Sequence, residues 1–280
     1  MKIKNNLEEP ENFTVYNGEG TNLRKAQMRL LEILIEFDRI CKKHDIQYFL
    51  SGGTCLGAVR HGGFIPWDDD IDIDVWHTDY KKLLEILPTE LSDNYFMQTD
   101  KTDPSFYRKY LRVVDKHSKV VYSDNRSRAN FKYHGLWLDI LPLEKTISYK
   151  AKGLIDYFYS GSLAHLKAPM RDKFKKISST FIYPVSLFLV KCINIISKKI
   201  ASPDKICHVF GTGMAPKLNR ENCFPVKPIV FEGYSFLGPA KPDPYLISLY
   251  GENYLSIPPK SNRQAHAATI EVYSCKESNT

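Results

Sequence analysis

HGGFIPWDDDIDIDVWHTDY, residues His61–Tyr80, places five aspartates within seven positions: Asp68, Asp69, Asp70, Asp72 and Asp74. Aspartate is a poor strand former, yet Ile71, Ile73 and Val75 are interleaved with the acids as a strand requires. Strand side chains alternate faces, so Asp68, Asp70, Asp72 and Asp74 share one face while Ile71, Ile73 and Val75 meet the core on the other. Same-face carboxylates about 5–7 Å apart repel by roughly 2–3 kcal/mol per pair at an effective dielectric near 20. A fully solvated edge tolerates that. A strand buried on one side calls for a cation among the acids, and oxygen ligands of this kind suit Mg2+ or Mn2+.

Upstream, QYFLSGG reads as a short apolar strand that stops at paired glycines, followed by TCLGAVRHGG as a short helix or turn and a glycine-bounded loop. Gly52, Gly53 and Thr54 make a turn whose backbone N–H groups can approach a phosphate, and the helix start beyond adds a favourable dipole. Paired glycines are often only a turn; the aspartate run 16 residues later gives them weight. Downstream, Asp139 lies within the apolar strand LWLDIL. It is a candidate third acid on a neighbouring strand, or a capping residue before Pro142. Arg60 and His61, between the two site strands, contact a donor phosphate or pack the loop, and Trp67 reads as a packing anchor. Arg112, in YLRVVD, faces the same cleft or solvent. Arg263 and His266 are candidates for closing the site.

Between Asn22 and His44, Leu30, Ile33, Leu34, Phe37, Ile40 and Cys41 recur at helical spacing. Thr78 is placed to cap the helix DYKKLLEIL, with Asp79 in its first turn. NYFMQTD, KYLRVVD, KVVYSD and GLWLDILPLE read as strands and PDPYLISLYGENYL as a helix. The class is α/β (α+β): a mixed sheet with a helical insertion. Residues 1–20 form an irregular leader, 21–149 the core, 150–209 a basic helical region, and 210–280 a C-terminal segment packing on the core.

The 280 residues are 43% hydrophobic and 25% charged, an ordinary globular composition. An excess of 39 Lys+Arg over 32 Asp+Glu suits an anionic substrate, a membrane surface or nucleic acid, and equally a solvated basic surface. None of the six cysteines lies in a close pair, so zinc spacing is absent and a reducing compartment is expected. MKIKNNLEEPENF lacks the apolar stretch of a secretory signal. ISSTFIYPVSLFLV, 14 residues with a proline, is shorter than a bilayer span. The expected location is cytoplasmic, soluble or peripheral on the inner membrane face. Residues 165–205 carry many Lys and Arg and two acids. Apolar residues at 181, 182, 185, 188, 189, 192, 193 and 196 fit one broad helix face. That face packs on the core or docks on an anionic membrane or lipid-linked glycan precursor.

FLSGGTCLGAVRHGGFIPWDDDIDI, Phe49–Ile73, resembles the signature of the LicD family, to which the fukutin-type enzymes are related. ICKKHDIQYFL, GLWLDILPLE and YGENYLSIPP extend the resemblance over roughly residues 25–260, with 150–225 poorly constrained. Cys55 stands where family members often have Leu, and Leu136-Trp137 replaces an aliphatic or Phe pair. The resemblance implies a nucleotidyltransferase-like fold for 21–149. It implies metal-dependent transfer of a phosphorylated small group, typically phosphocholine from CDP-choline, onto a cell-surface glycan such as teichoic acid, lipopolysaccharide or capsule. Asp70 and Asp72 would be the metal pair, with Mg2+ or Mn2+ as cofactor. Asp139 would be the third carboxylate and help deprotonate the acceptor hydroxyl, with Asp68 as metal or loop support. Gly52, Gly53 and Thr54 would cradle donor phosphate. A CDP-linked donor and a glycan or lipid-linked glycan acceptor are the implied partners.

Phosphoethanolamine, glycerol phosphate, ribitol phosphate or a sugar phosphate are alternative cargoes. A glycosyltransferase using an Asp-x-Asp motif and a nucleotide-sugar is a rival. Such folds place a larger nucleotide-binding region before that motif, and fewer than 70 residues precede it here. An RNA-directed enzyme would need a binding module or a basic stacking platform; the sequence has neither, so no nucleic acid partner is expected.

Overall fold

Ile71, Ile73 and Val75 are fully buried, and their strand lies next to the middle of a seven-stranded sheet. The computed structural model describes residues 12–121, 130–167, 173–263, 267 and 269–273. The chain opens with α1 (Thr14–Asn17), α2 (Asn22–Lys43), β1 (Tyr48–Leu50), α3 (Gly52–His61), β2 (Ile71–Trp76) and α4 (His77–Glu90). It continues through β3 (Tyr95–Gln98), β4 (Leu111–Asp115), β5 (Ser118–Val121) and β6 (Trp137–Lys145) to the helices α5 (Tyr149–Lys167) and α6 (Lys173–Ile200). It ends with β7 (Lys205–His208), β8 (Leu218–Asn219), α7 (Arg220–Cys223), β9 (Lys227–Phe231), β10 (Tyr234–Gly238), α8 (Pro242–Tyr250) and β11 (Thr269–Val272).

The main sheet runs β1-β2-β6-β4-β3, with β7 on the far end of β6 and β8 beyond it. Nine-residue β6 is long enough to take three partners: β2 in parallel, β4 antiparallel near its start, and β7 antiparallel near its end. Residues paired across a ladder point to the same face. Ile73 pairs with Ile140, and Ile140 with Leu111, giving one apolar face. Onto it α2 packs Ala26, Leu30, Ile33, Leu34, Phe37 and Ile40, all at zero exposure. Thr21 caps α2 by accepting from the Arg24 N–H, and Phe37 meets Tyr48 edge-on. The other face carries Asp72, Asp139 and Arg112, paired in that order across β2, β6 and β4.

Several local expectations need revision. Trp76, not Thr78, stands at the N-cap of α4, because the chain turns directly out of β2. Strand β5 leaves the main sheet and pairs with β11. The stretch 150–209 ends in β7, which pairs with β6 through Leu143 and His208. Of the two readings of the broad apolar face of α6, packing on the core is not what the fold shows: Phe181, Val185 and Phe188 are exposed, while Ser179, Ser186 and Ser197 are buried. Among the described residues one helical stretch, Lys175–Ser197, is long and apolar enough to cross a membrane by length and composition. Extension of the apolar run beyond Lys191 makes it longer than the uncharged segment alone.

The α2–sheet contact carries the core, so Phe37→Ala should cost about 3–5 kcal/mol. Val230→Ala, on an exposed position, should stay within about 0.5 kcal/mol of wild type. Urea unfolding of both variants checks the contrast.

Candidate active site

The five aspartates separate into different jobs. Asp69 is buried and accepts from the Ala267 N–H at 2.7 Å, tying the C-terminal segment down. Asp74 is buried and pairs with His208 Nε2 at 2.9 Å. Asp68 Oδ1 accepts from the Asp69 N–H at 3.2 Å, and its Oδ2 faces Gly53. Asp70 stands near enough to Asp72 to repel its charge. The Asp72 carboxylate has no hydrogen-bond or ion-pair partner among the described residues. Burial, then repulsion from Asp70, Asp139, Asp68 and Asp74, pushes its pKa well above the usual carboxylate range.

The glycine turn brings backbone against these acids. Gly52 has φ +51°, in the left-handed region, and a Cβ there would lie 3.3 Å from Asp72 Oδ2. A Cβ on Gly53 would lie 3.0 Å from Asp68 Oδ2. The Gly52 N–H donates to the Tyr245 hydroxyl at 3.0 Å. The Thr54 Oγ1 accepts from the Asp72 N–H at 2.9 Å, pinning α3 to β2. The start of α3 thus faces Asp72 and Asp68, where its dipole favours negative charge.

Asp139 sits opposite Asp72 in the parallel ladder, on the same face. Arg112 holds it from the other side, with Nε donating to Oδ1 at 2.5 Å and the far amino group to Oδ2 at 3.1 Å. The guanidinium lies 4.3 Å from the Trp137 ring centroid and 5.2 Å from that of Phe106, and also donates to the Tyr110 hydroxyl. Arg112 therefore faces the cleft. Both Asp139 oxygens accept from it.

Arg60 and His61 end α3, about 12–13 Å along the helix from Gly52. Arg60 donates to the Tyr254 and Ser256 carbonyls and to His61 Nε2. His61 packs edge-on against Phe13 and Trp67, and burial beside Arg60 lowers its pKa to about 4. His61 is packed into this aromatic cluster, while the Arg60 guanidinium, held by two carbonyls, lies within electrostatic reach of Tyr250 and Asp68. Trp67 is an anchor, touching Phe13, Tyr16 and Arg263. Arg263 thereby lies against Trp67, and His266 lies outside the described residues.

A cavity of about 340 Å³ opens beside the turn, within the size range of ligand pockets. Gly52, Gly53, Asp72, His208, Tyr245 and Tyr250 are in its lining. His208 was not anticipated. Its Nε2 meets Asp74, and its buried Nδ1 has no hydrogen-bond partner among the described residues. The two residues lie 134 positions apart, and no local pattern joins them.

Residues 45–151 match the LicD/FKTN/FKRP nucleotidyltransferase domain, a span that holds the glycine turn, the aspartate strand and Asp139. The chain carries a LicD-family nucleotidyltransferase domain. Beyond that span, the chain is 27% identical over 258 residues to the lipopolysaccharide cholinephosphotransferase LicD of Haemophilus influenzae, covering 87% of this chain and 95% of that protein. Shorter matches link the LicD domain to the human ribitol 5-phosphate transferase FKRP, 50% identical over 34 residues. They cover 12% of this chain and 7% of that protein. Human ribitol-5-phosphate transferase FKTN is 33% identical over 63 residues, covering 22% of this chain and 13% of that protein.

Three His, Cys, Asp or Glu side chains posed around one metal position do not occur among the described residues. Crowded, uncompensated Asp72 with Asp70 beside it fits a different kind of site, in which one or two carboxylates hold Mg2+ and substrate phosphates complete the shell. A raised carboxylate pKa means that the ionised form destabilises the metal-free fold above the ordinary pKa of Asp, and protonation relieves it. Asp72→Asn should therefore raise the melting temperature of the metal-free protein at pH 7 by about 2–4 °C. Mg2+ with CDP should stabilise wild type and leave the variant unchanged; a thermal melt reads both.

Proposed function

We propose that this protein is a metal-dependent phosphotransferase that moves a phosphorylated small group from a nucleotide-diphospho donor to a cell-surface glycan. Phosphocholine from CDP-choline is the cargo best supported, because the similarity to a lipopolysaccharide cholinephosphotransferase runs through 95% of that protein. The acceptor class is a lipopolysaccharide, teichoic acid, capsule or lipid-linked glycan. A nucleotide-linked donor favours a cytoplasmic protein, with peripheral contact to the inner membrane face bringing it to a lipid-linked acceptor. The observation that carries the reading is the Asp72 carboxylate, left without a counter-charge beside a glycine turn and a ligand-sized cavity.

Asp72 and Asp70 would hold Mg2+ or Mn2+, with Asp68 in support. The bound ion would offset charge on the donor phosphates and on departing CMP. Gly52 and Gly53 lack the Cβ that would press on the Asp72 and Asp68 carboxylates, and the start of α3 would favour donor phosphate there. Arg112, fixed by Asp139 and its aromatic wall, supplies an immobile positive charge on the same face of the sheet, beyond Asp139. In the transfer, the acceptor hydroxyl oxygen bonds to the cargo phosphorus as the bond to the CMP oxygen breaks. The hydroxyl proton goes to the His208 ring, which lines the cavity and is oriented by Asp74, rather than to Asp139, whose oxygens both accept from Arg112.

With Mg2+ and CDP-choline the protein should release CMP. Release of a nucleoside diphosphate from a nucleotide-sugar would instead mark a glycosyltransferase. Asp72→Asn should lower turnover by more than ~100-fold; near-normal CMP release from that variant contradicts the reading. His208→Gln should lower transfer by ~100-fold or more, with the KM for donor little changed. A change confined to KM would reassign His208 to binding.

A further inference from the structure

Helix α6 is inside-out for a helix in water. Ser179, Ser186 and Ser197 are 2%, 3% and 8% exposed, whereas Phe181, Phe188 and Ile200 are 72%, 65% and 72% exposed. Helix α5 follows the same plan: Ser160 and Ser162 are buried, while Leu154 and Tyr157 are 62% and 73% exposed. The two helices meet through Tyr159 and Ile155 of α5 and Val190, Leu187 and Tyr183 of α6, with the rings of Tyr159 and Tyr183 stacked, and the serines are buried on the same covered sides. Small residues between helices with large apolar ones outside is the arrangement that suits lipid. The hydroxyls also need no water. Ser186 donates to the Tyr183 carbonyl, Ser162 to the Tyr159 carbonyl and Ser160 to Asp156.

The outward face is not waiting for another part of the described fold. Helix α5 is bolted to the sheet on its other side by Lys152 donating to Glu144 at 2.7 Å. Asp156 accepts from the Gly211 and Gly213 N–H groups. In the apolar stretch Lys175–Ser197, 17% of residues are buried. From Ile177 to Ile200 the exposed apolar stripe runs about 35 Å.

Charge selects the partner. Lys175 and Lys176 are exposed at one end of the stripe, Lys191 within it and Lys199 at the other end. A groove of about 480 Å³ between the helices adds Arg108 and His165. A second copy seated on this stripe would bring like charges toward each other, whereas a bilayer with anionic headgroups would pair them. Lys191 in mid-stripe argues for a helix lying in the interface, where its amine reaches headgroups, over one crossing the hydrocarbon. We propose that the outward face of the α5–α6 hairpin docks in the interface of a bilayer carrying anionic lipid headgroups. The aromatic and aliphatic stripe is immersed, and the lysines meet headgroup phosphates. This inference stands on the hairpin alone and is independent of the transferase chemistry.

Co-sedimentation of the full chain with vesicles tests it. Binding to vesicles containing phosphatidylglycerol should exceed binding to pure phosphatidylcholine vesicles by at least 10-fold. The double variant F181S/F188S should lose at least 10-fold in binding, with circular dichroism and melting temperature unchanged. The quadruple variant K175Q/K176Q/K191Q/K199Q should lose the preference for phosphatidylglycerol. Equal binding by wild type and F181S/F188S, or no binding to either vesicle, overturns the proposal. So does a lipid-free dimer that F181S/F188S converts to monomer, since a second copy would then be the occupant.

Discussion

Asp72 and Asp139 stand directly opposite each other on adjacent parallel strands, and the repulsion between them organises the site. At an effective dielectric near 20, two carboxylates about 5 Å apart oppose each other by roughly 3 kcal/mol. The fold neutralises one of the pair. Arg112, on the next strand, grips Asp139 with two donors and is walled in by Trp137, Phe106 and Tyr110. That wall keeps the guanidinium from sliding across to Asp72. The second carboxylate is left crowded and beside a cavity, a setting that suits a cation arriving with its own ligands.

The glycine turn belongs to the same constraint. Side chains at Gly52 and Gly53 would press on the carboxylates of Asp72 and Asp68. Thr54 and Ser51 bind the backbone of Asp72, so the start of α3 and the acidic strand move as one piece. A donor with paired phosphates would meet a helix start on one side and the carboxylates on the other. The electrostatics of the two surfaces are opposite, and a divalent ion reconciles a polyanionic ligand with an anionic wall.

Alternation of Asp with Ile was enough to read a one-side-buried strand, and the signature around Gly52 and Asp72 was enough to read the fold. Other features depend on strand order, which local sequence does not contain. Arg112 and Asp139 are neighbours because β4 and β6 pair in that register. His208 reaches Asp74 from a strand entering after the helical hairpin. Thr54 stands beside two glycines, and its hydroxyl accepts from the Asp72 backbone N–H. For α6, helical periodicity separates a serine face from a phenylalanine face without saying which is covered.

The account rests on a cation seated on Asp72 with donor phosphate filling the rest of its shell. Crystals grown with Mn2+ and CDP, measured near the manganese absorption edge, locate the ion by its anomalous signal. An anomalous peak roughly 2.1 Å from an Asp72 carboxylate oxygen and from a CDP phosphate oxygen is the predicted result. A nucleotide bound in the cavity with no anomalous peak at Asp72 would contradict the account.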